Sequence, residues 1–353
     1  MAKHNIGIIG AGMIGQEHIR NFKKLKGVRI TWVADINEAL LKKVLKTFKV
    51  SKGTTDYMEI LNDPDVHAVV ICTPPSTHFE IFIRAVRSGK HILLEKPATI
   101  SIDELEGLLA IAAQHPELHI CDASCRHARL QPKFNFVKKI IDSGNLGDIY
   151  HIHHQEALRQ ARPGIEYHPE AKWFLNRKIA GGGPVLDWGI YDFSFHLGIL
   201  SDKPELKSVK AMTARGLDKK DPGTDIFDVE EHGVAWMEFS GGLTYVWERA
   251  THANVEAPSE TRIYGTKGGL KFSFLTWDSP DIKYYYTTKQ GRGKAKSKTF
   301  TVDMSKHGGD NFEMARHFVD VLNGKAEPAM PLSLAAKHLR IIDEVYKSAA
   351  IPK

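Results

Sequence analysis

Residues 5–35 read NIGIIGAGMIGQEHIRNFKKLKGVRITWVAD, and this stretch decides the fold of the first part of the chain. A short apolar run at 5–9 predicts a strand, and a glycine motif of the form G-x-G-x-x-G follows it. Apolar residues at helical spacing predict a helix over 16–25, and residues 28–34 predict a second strand that ends at Asp35. This order of strand, glycine motif, helix, strand and acid predicts a dinucleotide-binding unit.

Each glycine of the motif has a separate physical role. Gly10 allows a tight turn, Gly12 lets the backbone approach the pyrophosphate, and Gly15 lets the helix pack closely against the strand. The start of the helix, at Met13 and Ile14, offers N–H groups and a favourable dipole to the phosphates. A glycine-rich turn without a ligand is the alternative, and the strand, helix and acid around the motif argue against it.

The residues at the end of the second strand indicate which dinucleotide binds. A carboxylate at Asp35 accepts hydrogen bonds from the ribose hydroxyls and repels a 2′-phosphate. Ile36 and the two residues after it provide no cation for that phosphate, although Lys42 and Lys43 follow along the chain. We therefore expect NAD as the cofactor, with NADP as the less favoured alternative.

Two later strand ends extend the same ligand-binding edge. Residues 68–72 and 91–94 are apolar runs typical of buried parallel strands. The sequence TPPSTH follows the first run and EKP follows the second, where open α/β sheets bind their ligands. A charge at the end of an apolar strand is costly unless a partner or ligand meets it, so we expect Lys96 to face the cofactor and the substrate. The residues that we assign to the cofactor here are Thr73, Pro74, Pro75, His78, Glu95 and Lys96.

The sequence pattern changes near residue 123. Beyond residue 205, strand-like stretches are separated by turn sequences such as SGG and GTKGG. Strands joined in this way favour a largely antiparallel sheet with few crossover helices. We therefore expect an α/β chain with a dinucleotide-binding domain over 1–123 and a substrate-binding domain over 124–353.

A second chemical motif, GGGPVLDWGIY, occupies residues 181–191. A helix that begins at Val185 would place Asp187 and Tyr191 on one face, since they are four residues apart. A carboxylate and a phenol one turn apart are a plausible pair for moving a proton. An ordinary amphipathic helix that buries Tyr191 in the core is equally consistent with the spacing.

Composition and charge limit the remaining function classes. The 353 residues are 42% apolar and 25% charged, which is typical of globular proteins, and no apolar run is long enough to cross a bilayer. Three cysteines make no disulfide framework, so we expect a cytoplasmic protein. The net charge is +6, but its densest basic run, at 289–298, lies between strand-like segments, and we expect no nucleic-acid partner. His151 and His153 could share a strand face without a third ligand, so we expect no metal.

The order of these motifs resembles the glucose–fructose oxidoreductase, inositol dehydrogenase and rhizopine-catabolism (Gfo/Idh/MocA) family. The matching stretches are GAGMIG, TPPSTH, EKP, RLQP, DSGNLGDI and GGGPVLDWGIY. They follow the family's order over nearly the whole chain. The resemblance implies a Rossmann domain followed by an α/β domain with an open-faced, mainly antiparallel sheet.

The resemblance also implies roles for individual residues. The lysine of E-K-P is Lys96, and the aspartate that follows the glycine loop is Asp187. Many relatives carry histidine where this chain has Tyr191, and tyrosine there is similar to glucose–fructose oxidoreductase and dimeric dihydrodiol dehydrogenase. We expect these three residues to be catalytic, with Tyr191 as the proton carrier. Trp173 resembles a tryptophan that some relatives place near the nicotinamide.

The expected reaction is hydride transfer between NAD and a hydroxyl- or carbonyl-bearing carbon of a sugar, sugar derivative or cyclitol. Polar and aromatic side chains suit such a polyhydroxylated ring. The residues that we assign to the substrate are Lys96, Arg126, His153, Tyr167, Trp173, Asp187 and Tyr191. Two alternatives stay open, an NAD-dependent glycosidase that oxidises its sugar transiently and a non-catalytic, sugar-sensing regulator. We expect the open sheet face to pair subunits into a homodimer or homotetramer.

Overall fold

The computed structural model describes most of the chain. The described residues are 4–159, 171–217, 226–287 and 294–350, without the side chains of Glu256 and Ala295. The strands are β1 (His4–Ile9), β2 (Val28–Ala34), β3 (Lys52–Thr54), β4 (Ala68–Ile71), β5 (His91–Leu94), β6 (Ile120–Asp122), β7 (Ile149–Arg159), β8 (Leu206–Ala214), β9 (His232–Phe239), β10 (Thr244–Ala250), β11 (His252–Gly265), β12 (Gly268–Phe272), β13 (Asp281–Thr287) and β14 (Ala295–Thr301). The helices are α1 (Met13–Phe22), α2 (Glu38–Phe48), α3 (Met58–Asn62), α4 (His78–Arg87), α5 (Ile102–Ala113), α6 (Pro132–Asp142), α7 (Arg177–Ala180), α8 (Pro184–Asp187), α9 (Gly189–Gly198), α10 (Asp310–Leu322) and α11 (Leu332–Ala349).

The chain divides into two compact units. The first contains Met1–Arg126 and Gly308–Ala336, and the second contains His127–His307 and Lys337–Lys353. The chain first passes from one unit to the other after Arg126, close to residue 123, where the sequence pattern changes. The segment Gly308–Ala336 differs from the sequence prediction, which placed it in the second domain. It joins the first unit because α10 packs against α1, where the ring centroids of Phe22 and Phe318 lie 6.3 Å apart.

The first unit contains a six-stranded parallel sheet with the order β3-β2-β1-β4-β5-β6. This is the strand order of a Rossmann domain, as the sequence predicts. All four residues of β4 are buried, as expected for a strand covered on both faces. The helix after β2 begins at a side-chain cap, because the Asn37 side chain accepts a hydrogen bond from the Leu40 N–H at 3.0 Å.

The register of this sheet brings the predicted loops to one edge. Ile9, the last residue of β1, pairs with Ala34 of β2 and with Ile71 of β4. Ile71 pairs in turn with Leu94, the last residue of β5. The glycine motif, Asp35, TPPSTH and EKP therefore follow four neighbouring strands at their carboxyl ends, where this class of sheet binds ligands.

The second unit contains an eight-stranded sheet with the order β14-β13-β12-β11-β7-β10-β9-β8. Its neighbouring strands are antiparallel except for β7 and β10, which are parallel. The prediction of a mainly antiparallel second sheet is confirmed.

The two faces of this sheet differ in their environment. Along β7, Ile152, His154 and Glu156 are buried, whereas His151 and His153 are only half-buried. Successive side chains of a strand point to opposite faces, so one face is covered and the other is open. Helix α9, whose ten residues are all buried, lies on the covered face, where the rings of His154 and His196 are 4.8 Å apart.

The motif GGGPVLDWGIY does not form the single helix that its spacing predicts. α8 ends at Asp187, α9 begins at Gly189, and Trp188 separates them. The N–H of Tyr191 donates to the carbonyl of Trp188, three residues back, at 2.9 Å. The two candidate residues therefore lie on different helices, on either side of this break.

Candidate active site

The glycine loop of the first unit has the shape that a dinucleotide requires. Gly10 has a φ of +100°, and a Cβ there would lie 2.8 Å from the carbonyl carbon of Cys72. A Cβ on Gly15 would lie 2.0 Å from the carbonyl oxygen of Gly10, so only glycine fits at either position. A Cβ on Gly12 would meet no atom within 4 Å. Packing of the described residues therefore does not account for glycine at position 12.

The start of helix α1 is arranged to receive an anion. Its N-cap, Gly12, provides no side-chain cap, and the first turn contains no acidic residue among the described positions. The dipole and the N–H groups of this first turn are therefore available to a phosphate. Met13, in the same turn, is exposed. The open space at Gly12 and this uncapped helix start together fit the pyrophosphate of a dinucleotide.

Asp35 connects the glycine loop to the end of β2. Its Oδ2 accepts a hydrogen bond from the Ala11 N–H at 2.7 Å, and its Oδ1 accepts one from the Asn37 N–H at 2.8 Å. Each carboxylate oxygen has a second lone pair, so the side chain keeps acceptor capacity for ribose hydroxyls. Ile36 beside it is 90% exposed. Lys42, the nearer of the two candidate lysines, pairs with Glu38 at 3.1 Å.

His78, the last residue of TPPSTH, was predicted to contact the cofactor. His78 is fully buried, and its two ring nitrogens lie 2.9 Å from the carbonyl oxygens of Thr73 and Pro97. Burial lowers the pKa of His78, although the carbonyl contacts oppose that shift. Both ring nitrogens face backbone carbonyl oxygens, so His78 lies between two loops of the ligand-binding edge and presents neither nitrogen to a cofactor.

Glu95, the residue before Lys96, is the centre of a buried charged cluster. Its Oε1 lies 2.7 Å from Nε2 of His18, on α1, and contacts Nη1 of Arg126. Burial alone would raise the pKa of Glu95, but attraction from Arg126 and the bond from His18 outweigh it and hold that pKa well below its usual range. Glu95 Oε2 also accepts a hydrogen bond from the Lys96 N–H at 3.2 Å, so the cluster fixes the backbone at Lys96.

Arg126 does not have the position expected of a substrate residue. It is only 4% exposed, and its guanidinium neutralises the buried carboxylate of Glu95. Asp122, at the end of the neighbouring strand β6, is also buried and accepts a hydrogen bond from the Ser124 N–H at 2.8 Å. Burial raises the pKa of Asp122 to about 6, against the opposing effect of Ser124.

Asp187 and Tyr191, the candidate pair of the second unit, are both buried. Tyr191 lies in an aromatic cluster: the ring centroid of His127 is 4.8 Å from that of Tyr191, and the centroid of Trp188 is 5.5 Å from it. Trp277 completes the cluster, 5.5 Å from His127 and 6.0 Å from Trp188.

The triple glycine before Asp187 has a structural explanation. A Cβ on Gly182 would lie 2.0 Å from the hydroxyl of Tyr346, and one on Gly183 would lie 1.9 Å from the carbonyl oxygen of Glu230. The Glu230 Oε1 accepts hydrogen bonds from the N–H groups of Gly183 and Val185, at 2.9 and 3.0 Å. This carboxylate therefore caps the helix that ends at Asp187. Burial raises the pKa of Glu230.

A second buried charged cluster lies beneath the aromatic residues. Nη2 of Arg249 lies 2.6 Å from Oδ1 of Asp192, and its Nη1 lies 2.5 Å from Oε2 of Glu156. The Arg249 guanidinium also lies 5.0 Å from the ring centroid of Trp188. Burial would raise the pKa of Asp192, but Arg249 and His154 hold it well below its usual range. Arg249 thus links Trp188 to α9.

His153 is on the wrong sheet face for the role predicted from sequence. It pairs with Val246 of β10 and Arg262 of β11, and its neighbours Ile152 and His154 point to the covered face where α9 lies. His153 therefore points to the open face, away from the helix that carries Tyr191. Burial and the charge of Arg262 lower the pKa of His153.

The remaining predicted residues give less information. Trp173 is half-buried in a short 3₁₀ turn, where it stacks on Phe174 with ring centroids 3.8 Å apart. Tyr167 lies outside the described residues. A cavity of about 470 Å³ in the second unit is lined by residues 262–271 and 285–287 and contains none of the predicted site residues. Among the described residues, no group of three His, Cys, Asp or Glu side chains could hold a metal, and no helix is long and apolar enough to cross a membrane.

Sequence reasoning missed three members of the aromatic cluster and the arginine beneath it. Trp188 stands inside the motif next to Asp187, so proximity along the chain was a usable signal. His127, Arg249 and Trp277 are far apart in sequence and follow no local pattern. Only the tertiary fold brings them together.

Comparisons with known proteins agree with this architecture. Residues 4–121 match the family model described as an oxidoreductase family with an NAD-binding Rossmann fold. Residues 134–271 match the model of the GFO/IDH/MocA C-terminal domain. The two matches together span most of the chain.

Individual relatives are similar over most of their length. Myo-inositol 2-dehydrogenase of Thermotoga maritima is 24% identical over 265 residues, which is 75% of this chain and 74% of the relative. Levoglucosan dehydrogenase of Pseudarthrobacter phenanthrenivorans is 25% identical over 317 residues, which is 83% of this chain and 79% of the relative. A solved structure of levoglucosan dehydrogenase in complex with NADH and levoglucosan has a TM-score of 0.84 at 20% identity, covering 98% of this chain and 97% of that one. This last likeness supports the fold.

Proposed function

Because the chain belongs to the Gfo/Idh/MocA family of oxidoreductases, we propose that it transfers a hydride between NAD and a carbon of a sugar, sugar derivative or cyclitol. It is a nicotinamide-dependent oxidoreductase that acts on CH–OH groups. The observation that carries the proposal is the loop at 10–15 after β1, which we call the cradle. A Cβ on Gly12 would meet no atom within 4 Å there, and α1 starts without a side-chain cap. Lys96 follows β5, which is separated from β1 by β4, at the same sheet edge.

We assign the cofactor as NAD in preference to NADP. The glycine loop and the start of α1 hold the pyrophosphate, and Asp35 accepts hydrogen bonds from the adenosine ribose. The carboxylate of Asp35 is tied in place by the Ala11 and Asn37 N–H groups, so it cannot easily move away from a 2′-phosphate. Ile36 offers that phosphate no charge, and Lys42 is paired with Glu38.

The bound nicotinamide supplies the hydride acceptor or donor, and the residues of the chain handle the proton. Tyr191 passes the proton to or from the substrate oxygen, and Lys96 donates a hydrogen bond to that oxygen and stabilises its negative charge. Asp187 orients these groups. The bond between Glu95 and the Lys96 N–H fixes the backbone from which the lysine extends. The Asp192–Arg249 pair fixes α9, which carries Tyr191.

A carbohydrate or cyclitol substrate is supported by two independent observations. The names of two relatives give myo-inositol and levoglucosan as substrates, and both are polyhydroxylated rings. Tyr191 lies within an aromatic cluster of His127, Trp188 and Trp277, and aromatic faces suit the apolar face of such a ring.

We also infer that the open sheet face joins subunits into a homodimer or homotetramer. Trp236 on β9 is 45% exposed, while its neighbours Ala235 and Met237 are buried on the covered face. Met212 of the adjacent strand β8 is likewise exposed. Large apolar side chains on one exposed sheet face are typical of a protein interface.

The function is tested by screening the purified protein with NAD against myo-inositol, scyllo-inositol, levoglucosan, free sugars and aryl glycosides. We expect NADH to accumulate with at least one cyclitol or sugar. Lys96→Ala and Tyr191→Phe should each lower kcat by about a hundredfold or more while NADH still binds. Lys46→Ala, which removes an exposed lysine of α2, is the control and should leave turnover unchanged.

Other results would assign the protein differently. Turnover of a non-carbohydrate carbonyl compound, together with silence across the carbohydrate panel, would overturn the proposed substrate class. Release of the aryl group without net formation of NADH would identify the glycosidase that uses transient oxidation. Full activity of Lys96→Ala would remove the lysine from the mechanism.

A further inference from the structure

We propose that His127, Trp188 and Trp277 form an aromatic wall on which the ring of the substrate stacks, with Trp277 as its specificity-determining residue. The proposal rests on the proposed function, because it takes Tyr191 as the group beside the reacting oxygen. Trp277 belongs to none of the motifs in the sequence, and it reaches this position only through the tertiary fold of the second unit.

The three rings of the aromatic wall meet at a right-angled corner. His127 lies nearly parallel to Trp188, with an interplanar angle of 29° and centroids 6.0 Å apart. Trp277 stands almost perpendicular to both, at 80° to His127 and 76° to Trp188. Ring planes at right angles can contact one six-membered ring on a face and at an edge. The rings of His127 and Trp188 are adjacent to Tyr191, and Trp277 contacts both of them, so a substrate with its oxygen at the phenol has its carbon skeleton within reach of the aromatic wall.

The exposure of Trp277 is unusual for its surroundings. Trp277 is 58% exposed, although Phe274 and Leu275 of the same loop are almost completely buried. Keeping a large apolar side chain in water forgoes the favourable free energy that burial of its surface would give. A ring that stacks on the indole would recover part of that energy. The placement is therefore what a ligand-contacting residue requires.

The loop that carries Trp277 is built around a buried lysine. Lys133, on α6, is fully buried, and its ammonium donates to the carbonyl oxygens of Leu275 at 2.6 Å and Ser273 at 3.1 Å. The Ser273 hydroxyl also donates to Oδ2 of Asp278 at 2.5 Å. Burying an ammonium is costly unless its donors are satisfied, so the loop must keep the shape that satisfies Lys133. That shape holds Trp277 next to the other two rings.

The base of the aromatic wall is also fixed before any ligand binds. The Arg249 guanidinium lies 5.0 Å from the ring centroid of Trp188, and it is itself held by Asp192 and Glu156. A cation beneath an indole ring adds attraction to the contact. A wall that is ordered in advance loses little entropy when the substrate stacks on it, which favours affinity.

The test compares Trp277→Ala, Trp277→Phe and, as the matched control, Tyr150→Ala, which removes an exposed aromatic side chain elsewhere in the second unit. The members of the carbohydrate panel that the unaltered protein oxidises are titrated calorimetrically into each protein saturated with NADH, and kcat and KM for them are measured with NAD. We expect Trp277→Ala to raise KM and the dissociation constant about tenfold while kcat changes less than about threefold, because stacking holds ground state and transition state alike. Trp277→Phe should recover most of the affinity, and Tyr150→Ala should bind like the unaltered protein.

Each outcome decides between the two proposals. Values of KM and the dissociation constant in Trp277→Ala within about twofold of the unaltered protein would overturn the aromatic wall and leave the proposed function in place. A large loss of kcat at unchanged KM would also overturn it, since that pattern belongs to a residue acting on the reaction itself. If the unaltered protein neither binds nor oxidises any member of the panel, the proposed function fails, and the aromatic wall fails with it.

Discussion

Buried charges hold the candidate catalytic residues through their backbones. Glu95 precedes Lys96 and is held by His18 and Arg126, while Asp192 follows Tyr191 and is held by Arg249. Removing one partner of such a pair leaves an uncompensated buried charge and costs about 3–5 kcal/mol. These residues therefore act on the site by fixing the position of the chain, and they need no contact with the substrate.

Asp35 should set the preference between the two dinucleotides. Asp35→Asn keeps the size of the side chain and an acceptor for one backbone N–H, but it removes the negative charge. A hydrogen bond to a charged group contributes about 1.5–3 kcal/mol, so we expect weaker NADH binding and a preference over NADPH reduced about tenfold or more. The two dissociation constants are measured by fluorescence titration. Asp103→Asn, which changes an exposed carboxylate of α5, is the control, and an unchanged preference in Asp35→Asn would contradict the assignment.

Asp122 should make stability depend on pH in a known direction. Burial raises the pKa of Asp122 to about 6 in the folded state, above the value of about 3.9 for an unfolded aspartate. The folded state therefore holds the proton more strongly, so the stabilisation is complete below pH about 4 and is lost as the pH rises through about 6. The loss amounts to at most about 3 kcal/mol, since one pKa unit is 1.36 kcal/mol.

Asp122→Asn lacks this titration and isolates its contribution. The free energy of unfolding in urea, measured across that pH range, should fall less for the variant than for the unaltered protein. The free energy of unfolding of the variant minus that of the unaltered protein should therefore rise toward neutral pH. Asp148→Asn, which changes an exposed aspartate, is the control. A difference that stays constant with pH would contradict the raised pKa.

At the scale of elements, the glycine loop and the triple glycine look alike in sequence but have different causes. Gly182 and Gly183 are required because Tyr346 and the Glu230 backbone approach closely. Gly12 meets no such neighbour among the described residues. Glycine before a helix start is thus explained by packing in one case and by ligand approach in the other, a distinction that needs the tertiary structure.

The glycine loop offers a matched pair of substitutions. Gly12→Ala adds a methyl group into open space, at a φ of −62° that alanine adopts readily, so stability should change by less than about 0.5 kcal/mol. Gly15→Ala places a methyl group 2.0 Å from the Gly10 carbonyl oxygen and should cost several kcal/mol. Gly12→Ala should nevertheless lose NADH binding, because the methyl group occupies the path of the pyrophosphate. Urea unfolding and NADH titration separate the two effects, and normal NADH binding by Gly12→Ala would refute the cradle.

Local patterns predicted most of the elements, and long-range packing decided what they missed. The parallel sheet was predictable because glycine spacing, buried apolar runs and an acid at a strand end are local signals. The break at Trp188 was not, since the spacing of Asp187 and Tyr191 is also that of a continuous helix. His153 was assigned to the site because its face depends on which side of the sheet α9 covers. Arg126 was assigned there because its partner, Glu95, is distant in sequence.

At the scale of the whole molecule, the second sheet has one covered and one open face. The covered face buries Tyr245 and Trp247 against α9, with the indole of Trp247 donating to Asp192 at 2.8 Å. The open face carries alternate residues of the same strands, including the exposed Trp236. A sheet with one open face and large apolar side chains on it is expected to associate with another surface.

A charge on that open face should prevent association. Trp236→Glu changes a side chain that points away from the covered face, so the fold should be retained while an apolar contact is lost. Sedimentation equilibrium should give a dimer or tetramer for the unaltered protein and a smaller species for the variant. Lys139→Glu, at an exposed position of α6, is the control for added charge. A monomeric unaltered protein, or a variant of unchanged mass, would contradict the open-face interface.

Isotope transfer tests the central claim, hydride exchange between NAD and a carbohydrate carbon, most directly. Myo-inositol and levoglucosan deuterated on their ring carbons are incubated with the protein and NAD, and the reduced cofactor is isolated and analysed by mass spectrometry. The account predicts NADH that has gained one deuterium from at least one of these substrates, with no such product from Gly12→Ala. NADH that forms without deuterium, or no NADH from any cyclitol or sugar of the panel, would contradict it.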